Sequence, residues 1–240
     1  MINRIIKSLQ WRTSLLKKKL SAKKSEIPCS ICGGHKFVKG PNDRLSFQTG
    51  KLPWCLSCWA LERHRGLRVF WESFDKDYLK DKSVLQFSHD PAVKSQWFKD
   101  FTITVYSGEN SLDVQNIDKP DGTYDIVLCN QVIEHVPDDE AAIKELLRIT
   151  SKDGFVEIGV PYPSERDDTI DWGEPNLDDH EHYRNYGRID FARQLDSLVG
   201  AENWYELKVV DPVTGTFDYA YLLCHSTEAL NKILERAKLI

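Results

Sequence analysis

From residue 83 onward, apolar positions come in short, mostly β-branched runs separated by stretches of helical spacing. SVLQF, FTITVY, YDIVLC and GFVEIGV read as strands, the last ending at Pro161. Between them, AVKSQWFKD and residues 138–150 read as helices, the second with its apolar positions on one face. An irregular stretch, 161–187, precedes a helix near 189–199, strands near 204–210 and 217–224, and a final helix. DPVTGTFDYAYLLC has hairpin character, so the last strand is expected to run antiparallel. Alternation on this scale predicts an α/β fold, a Rossmann-like and mostly parallel sheet with helices on both faces. Such a sheet binds ligands at the carboxyl ends of its strands, beside the point where strand order reverses.

The first third of the chain follows another pattern. On a helix, Ile2, Ile5, Ile6, Leu9, Leu16 and Leu20 share one face, with basic residues opposite. SAKKSEIP (21–28) reads as a linker, residues 29–58 as a Cys-rich knot, and WALERHRGLRVFWESF (59–74) as a helix. The expected organisation is a basic helix and linker over 1–26, a small metal-binding ribbon over 27–66 and the α/β domain over 67–240.

Charge sharpens this division. The net charge of −5 is spread unevenly, because residues 1–25 hold eight Lys or Arg and no acid, leaving 24 bases against 37 acids elsewhere. An acidic body argues against nucleic acid as a partner, since wrapping phosphates needs a basic surface. The basic stripe suits a weak contact with a membrane surface or an anionic partner through residues 1–24, or packing of a solvated helix on its own body or a second subunit. Oligomeric state is not legible. No apolar run approaches the ~18 residues that span a bilayer. The N-terminus also lacks the apolar core and cleavage site of a secretory signal, so a cytoplasmic, reducing setting is expected.

In such a setting, close cysteine pairs point to metal. Cys29 and Cys32 form one C-x2-C, Cys55 and Cys58 another, with 22 residues between the pairs. Two knuckles supply four thiolates for one tetrahedral ion, zinc above all, and four protein ligands make that ion structural. An iron–sulfur site, disulfides or a redox pair are the competing uses of the same residues. Cys129 and Cys224 fall in predicted strands and read as buried thiols.

Polar side chains gather where predicted strands end. Ser88, His89 and Asp90 follow SVLQF, Glu109 follows FTITVY, Asn116 precedes the next strand, and Asn130, Gln131, Glu134 and His135 follow YDIVLC. The block YDIVLCNQVIEHVPDDEAAIKELLRITSKDGFVEIGVP resembles the class I S-adenosylmethionine-dependent methyltransferases of the type 11 kind, from their fourth strand through their fifth. Some members carry a zinc ribbon running into SLERHR, matched here by CWALERHRG, and a downstream D-H-x-R-x-Y-G, matched by Glu181 to Gly187 with Glu first. The resemblance covers residues 29–225. It departs at the first turn, where VLQFSHDPAV lacks the usual glycines and is similar instead to the V-L-x-x-A-P-E form of ribbon-bearing members.

The resemblance implies an S-adenosylmethionine-dependent methyltransferase with a small-molecule or glycan-like acceptor. Phe87 and Ser88 would line the first strand's turn, and Glu109 (Asp90 being the alternative) would take the ribose hydroxyls. Asn116 would meet the adenine, and Asn130 and Gln131 the methionine part. Glu109 is equally at home as a solvated turn residue. His135 and His182 are the candidate catalytic bases, with Arg184 as an anchor for an anionic acceptor. His135 also reads as a structural entry to the next helix, and His182 with Arg184 as pins of their loop. Trp172, Tyr183 and Tyr186 either line an acceptor pocket or pack the loop, and Asp178, Asp179, His180, Glu181 and His182 either bind a metal or stay solvated. The competing class is a catalytically decayed, methyltransferase-like scaffold with the ribbon as its interaction module.

Overall fold

The computed structural model describes Leu16 and residues 18–239 except Tyr162. Most of the apolar stripe read over residues 2–20 lies outside the described residues; Leu16 and Leu20, within them, are exposed. The chain divides into two compact units, residues 1–69 with 210–217, and residues 70–209 with 218–240.

In the first unit, β1 (Lys23–Lys24), β2 (Lys36–Val38) and β3 (Trp54–Cys55) form a small sheet with β2 central and antiparallel to both neighbours. Residues 23–24 thus pair as a strand within the stretch expected to be a linker. Helix α1 (Glu62–Ser73) begins where the second cysteine knuckle ends. Its Arg65, fully buried, donates through Nε and Nη2 to Asp211 at 2.8 and 2.6 Å, and to the carbonyls of Ala60 and Pro53 at 2.8 Å each. This bidentate pair fastens residues 210–217, a far later stretch of chain, to the ribbon.

The second unit is built on a six-stranded sheet. Its strands are β4 (Ser83–Phe87), β5 (Asp100–Thr104), β6 (Tyr124–Asn130), β7 (Thr150–Gly159), β10 (Trp204–Val210) and β11 (Phe217–Leu223), in the order β10-β11-β7-β6-β4-β5. β5, β4, β6 and β7 are parallel, and β11 is antiparallel to β7, as its hairpin-like sequence predicted. Strand order reverses at β4, so the crevice of the fold opens between the carboxyl ends of β4 and β6.

Alternation along β7 decides the two faces. Phe155 stacks on Trp71 and Phe74 of the α1 region, with ring centroids 5.8 Å apart in each case. Val156 and Ile158 point the other way, into a core shared with α2 (Asp139–Arg148) and α3 (Arg188–Val199) through Ile143, Leu146, Phe191 and Leu195. α4 (Thr227–Arg236) is tied to the first face, where Ser73 Oγ donates to the Ala237 carbonyl at 2.7 Å. Helix starts follow the sequence: Asp138 accepts from Ala141 N–H and Ser226 from Ala229 N–H. Cys129 and Cys224 are buried.

Two expectations fail. AVKSQWFKD forms only a 3-10 turn, Ser95–Trp97, so the crossover from β4 to β5 has no α-helix. Trp97 serves Lys76 and Lys94, whose ammonium groups lie 4.1 and 5.3 Å from its ring, while Phe98 enters the aromatic cluster of Trp71. Nine residues after a proline are too few to sustain a helix against those contacts. The stretch expected to be irregular holds a hairpin instead, β8 (Ile170–Asn176) with β9 (His182–Asn185). β8 buries no face, so no alternating pattern announced it.

Candidate functional site

Two candidate centres emerge, one in each unit. In the ribbon, the Sγ atoms of Cys29, Cys32, Cys55 and Cys58 all lie within 4.8 Å of one another. Cys29 to Cys58 is 3.7 Å and Cys32 to Cys55 is 3.6 Å. Four thiolates at ~2.3 Å around a tetrahedral ion stand about 3.8 Å apart, so the donor set fits zinc as it stands. The two knuckles share one backbone form. Gly33 N–H donates to the Cys29 carbonyl and Trp59 N–H to the Cys55 carbonyl, both at 2.8 Å, with φ of 74° and 59°. Gly33 takes the left-handed conformation freely, whereas Trp59 holds it against its Cβ. Gly34 N–H points to Cys32 Sγ at 3.4 Å, a further donor for a thiolate. A hydrogen bond from Cys29 holds the Cys55 thiol below its ordinary pKa.

In the second unit, the sheet register brings the ends of β4 and β6 side by side, Phe87 opposite Cys129, and Asn130 opposite Gly159 of β7. Ser88 and Gln131, each one residue past a strand end, both adopt left-handed φ, 61° and 56°. Ser88 therefore takes the conformation for which a glycine turn was expected. Backbone bonds fix both residues: Ser88 N–H donates to the Thr104 carbonyl at 2.9 Å, Gln131 N–H to the Gly159 carbonyl at 2.7 Å. Strain of this kind is concentrated at binding sites. Phe87 buries its side chain in the core and offers only backbone here.

Below the crevice lies a group that the sequence reading passed over. Glu157, fully buried on β7, accepts from Asn130 Nδ2 at 2.7 Å and from Trp71 Nε1 at 2.5 Å. Burial pushes its pKa up to about 7; the hydrogen bond from Asn130 opposes this and the charge of Asp90 adds to it. A glutamate inside the apolar run GFVEIGV was the available signal. Asn130 Oδ1 is buried without a hydrogen-bond partner among the described residues.

Glu109 is exposed in the turn beyond β5, and Asn116 is exposed with its N–H on the Asp113 carbonyl. Asp90 caps its own turn, accepting from Ala92 N–H at 2.7 Å.

His135 and His182, distant in sequence, meet edge to face with ring centroids 4.7 Å apart. His135 ends the 3-10 turn Ile133–His135, and His182 begins β9. Asn185 Nδ2 donates to Asp179, which leaves its Oδ1 to face His182 Nδ1 at 3.0 Å. An amide oxygen only accepts, so Nδ1 is the donor, and in the neutral imidazole Nε2 is the nitrogen with the lone pair. Burial first, and the His182 ring second, hold the His135 pKa below the ordinary histidine value.

The rest of the H-x-R-x-Y-G stretch is structural. Arg184 donates to Asp171 at 3.0 Å and to the carbonyls of Val136 and Pro137 at 3.0 and 2.8 Å, with Asp139 3.5 Å away. Its donors are committed to the protein, which removes it as an anchor for an anionic acceptor. Tyr186, buried, donates to Asp139 at 2.7 Å and likewise cannot line a pocket. Gly187 is required by close approach, because a Cβ there would collide with the backbone of Asp167 and Asp168. Trp172 on β8 and Tyr183 on β9 are half-buried.

A search of curated protein sequences finds no match. Among solved structures, the chain is similar to Burkholderia thailandensis 1,6-didemethyltoxoflavin-N1-methyltransferase, bound to 1,6-didemethyltoxoflavin and S-adenosylhomocysteine. The identity is 14%, with 66% of this chain and 78% of that one covered and a TM-score of 0.46. A putative methyltransferase from Bacillus halodurans C-125 is 14% identical over 60% of this chain and 71% of its own, with a TM-score of 0.40. A possible histamine N-methyltransferase from Thermotoga maritima is 14% identical over 66% and 89%, with a TM-score of 0.39. The family profile described as Methyltransferase domain matches residues 69–206, more than half of the chain, and the chain belongs to that family.

Proposed function

We propose that the protein is an S-adenosylmethionine-dependent methyltransferase acting on a small-molecule or glycan acceptor. The observation that carries this reading is the meeting of Ser88, Asn130 and Gln131 at the switch point of a family member's sheet. When bound, the cofactor supplies an electrophilic methyl group on a sulfonium. The unpartnered, buried Asn130 Oδ1 suits a donor such as an α-ammonium, and the strained Ser88 and Gln131 turns shape the walls on either side. Glu109 is assigned to the ribose hydroxyls and Asn116 to the adenine edge. On the acceptor side, the His182 Nε2 lone pair is held ready by the Asp179–Asn185 relay, with His135 against it. A lone pair placed there assists loss of the acceptor's proton as the nucleophile attacks. In the ribbon, the tetrahedral sulfur spacing supports one structural zinc.

The helix-free crossover from β4 to β5 favours a second reading, a binding or scaffold protein that has lost the chemistry. Calorimetry with S-adenosylmethionine separates the two. Binding heat and a raised melting temperature are expected, both weakened in Asn130→Ala and Glu109→Ala. His182→Ala should leave cofactor affinity unchanged and lower turnover about 10²–10⁴-fold. No heat and no melting shift at millimolar cofactor would overturn the enzyme reading and leave the scaffold.

A further inference from the structure

The two histidines are not alone at the end of β6. Glu134, fully buried on the same 3-10 turn, brings a carboxylate oxygen to 4.0 Å from His135 Nε2. One ligand-type atom from each of Glu134, His135 and His182 lies within 4.8 Å of the other two. An ion bonded at ~2.0–2.2 Å needs its donors roughly 3 Å apart, so small rotamer shifts close the cluster. The adjacent acids of the hairpin, which the sequence offered as ligands, play another part. Asp179 fixes the Asn185 amide, and Asn185 fixes His182 with Nδ1 protonated. That is the arrangement by which outer partners orient a metal-bound imidazole and leave Nε2 for the ion. His135 has an exposed edge, so the cluster is open to solvent on one side.

We propose that Glu134, His135 and His182 bind a divalent first-row metal ion, separate from the ribbon's, with open positions for oxygen ligands. Two imidazoles and one carboxylate select transition ions over calcium or magnesium, while the four ribbon thiolates retain zinc. Resting on the methyl-transfer reading, this deepens the acceptor-side role. An acceptor hydroxyl or carboxylate oxygen ligates the ion, which lowers the hydroxyl's pKa in place of a free histidine base. The lone pairs of the two imidazoles then go to the ion, and the proton lost by the acceptor passes to solvent.

The test uses full-length protein with the ribbon loaded with zinc, titrated with Co(II) as the probe. Visible absorption and metal content after dialysis should report about one cobalt per chain, with no thiolate-to-cobalt charge-transfer band. Glu134→Gln, His135→Gln and His182→Gln should each weaken uptake at least tenfold, and Asn185→Ala by roughly 10–100-fold, the range for a lost outer partner. His135→Gln alters an exposed side chain and serves as the variant that keeps its fold, checked by circular dichroism. Absence of cobalt uptake, uptake with the thiolate band, or uptake unchanged in these variants would overturn the site. S-adenosylmethionine titrated into the same samples keeps the two readings apart. Cofactor binding without cobalt removes the metal alone, and cobalt binding without cofactor removes methyl transfer alone.

Discussion

Glu157 ties residue-scale chemistry to stability. It sits beneath the crevice between two donors, Asn130 and Trp71, and burial raises its pKa to about 7 from 4.5. The folded pKa lies above the unfolded one, so its stabilising contribution is complete below about 4.5 and is lost as pH rises through about 7. Relative to wild type, Glu157→Gln should therefore gain stability between pH 4 and pH 8, by on the order of 3 kcal/mol. Urea titrations of both proteins across that range check this; a parallel pH profile in the two would show that Glu157 is not the titrating group. The sequence displayed this residue as a charge within an apolar strand, yet whether such a charge meets partners or solvent depends on what packs over it. That was legible only once Trp71 and Asn130 were placed.

Among elements, the β8–β9 hairpin positions His182, and Arg184 holds the hairpin. Arg184 reaches Asp171 across the hairpin, and Asp139 and the carbonyls of residues 136 and 137 at the start of α2. Arg184→Ala should cost about 3 kcal/mol, because it removes the cation beside the buried Asp139, which keeps the neutral donors Tyr186 and Gln194, and the donors to two backbone carbonyls. Amide exchange over residues 170–185 should quicken, and turnover should fall together with melting temperature. Unchanged exchange there would show that the hairpin is held elsewhere. The motif H-x-R-x-Y-G was visible in the sequence, but its division of labour was not. A guanidinium reads the same whether it awaits a substrate or is spent on backbone carbonyls. The helix expected between β4 and β5 failed for a related reason: Trp97 and Phe98 find partners far off in sequence, Lys76 and Trp71, and long-range contacts outweigh a weak local preference.

On the scale of the whole chain, the ribbon unit depends on its cysteines and on Arg65. Its sheet is three short strands and its core a handful of residues, Phe37, Ala60 and Val213 with Cys29 and Cys55. If the proposed zinc is bound, its binding free energy in so small a core is folding free energy. A strong chelator should therefore abolish the near-ultraviolet signal of Trp54 and Trp59, whose rings meet edge to face with centroids 4.8 Å apart, and expose residues 29–60 to exchange. The strands β4, β6 and β7 should keep their protection. Retained ribbon protection in metal-free protein would show that the hydrophobic core and the Arg65–Asp211 pair suffice.

The sequence by itself determined what depends on local spacing. The period of apolar residues set strands and helices, two C-x2-C pairs at short reach set the four-cysteine cluster, and the V-x-E-H-V block marked the polar end of β6. Tertiary structure alone decided what depends on distant residues arriving together. It brought His182 to His135 and Glu134, joined Asp211 to Arg65, and spent Arg184 on the fold. Each of those outcomes is set by chain closure across many residues, where no local pattern records which of several chemically suitable partners arrives first.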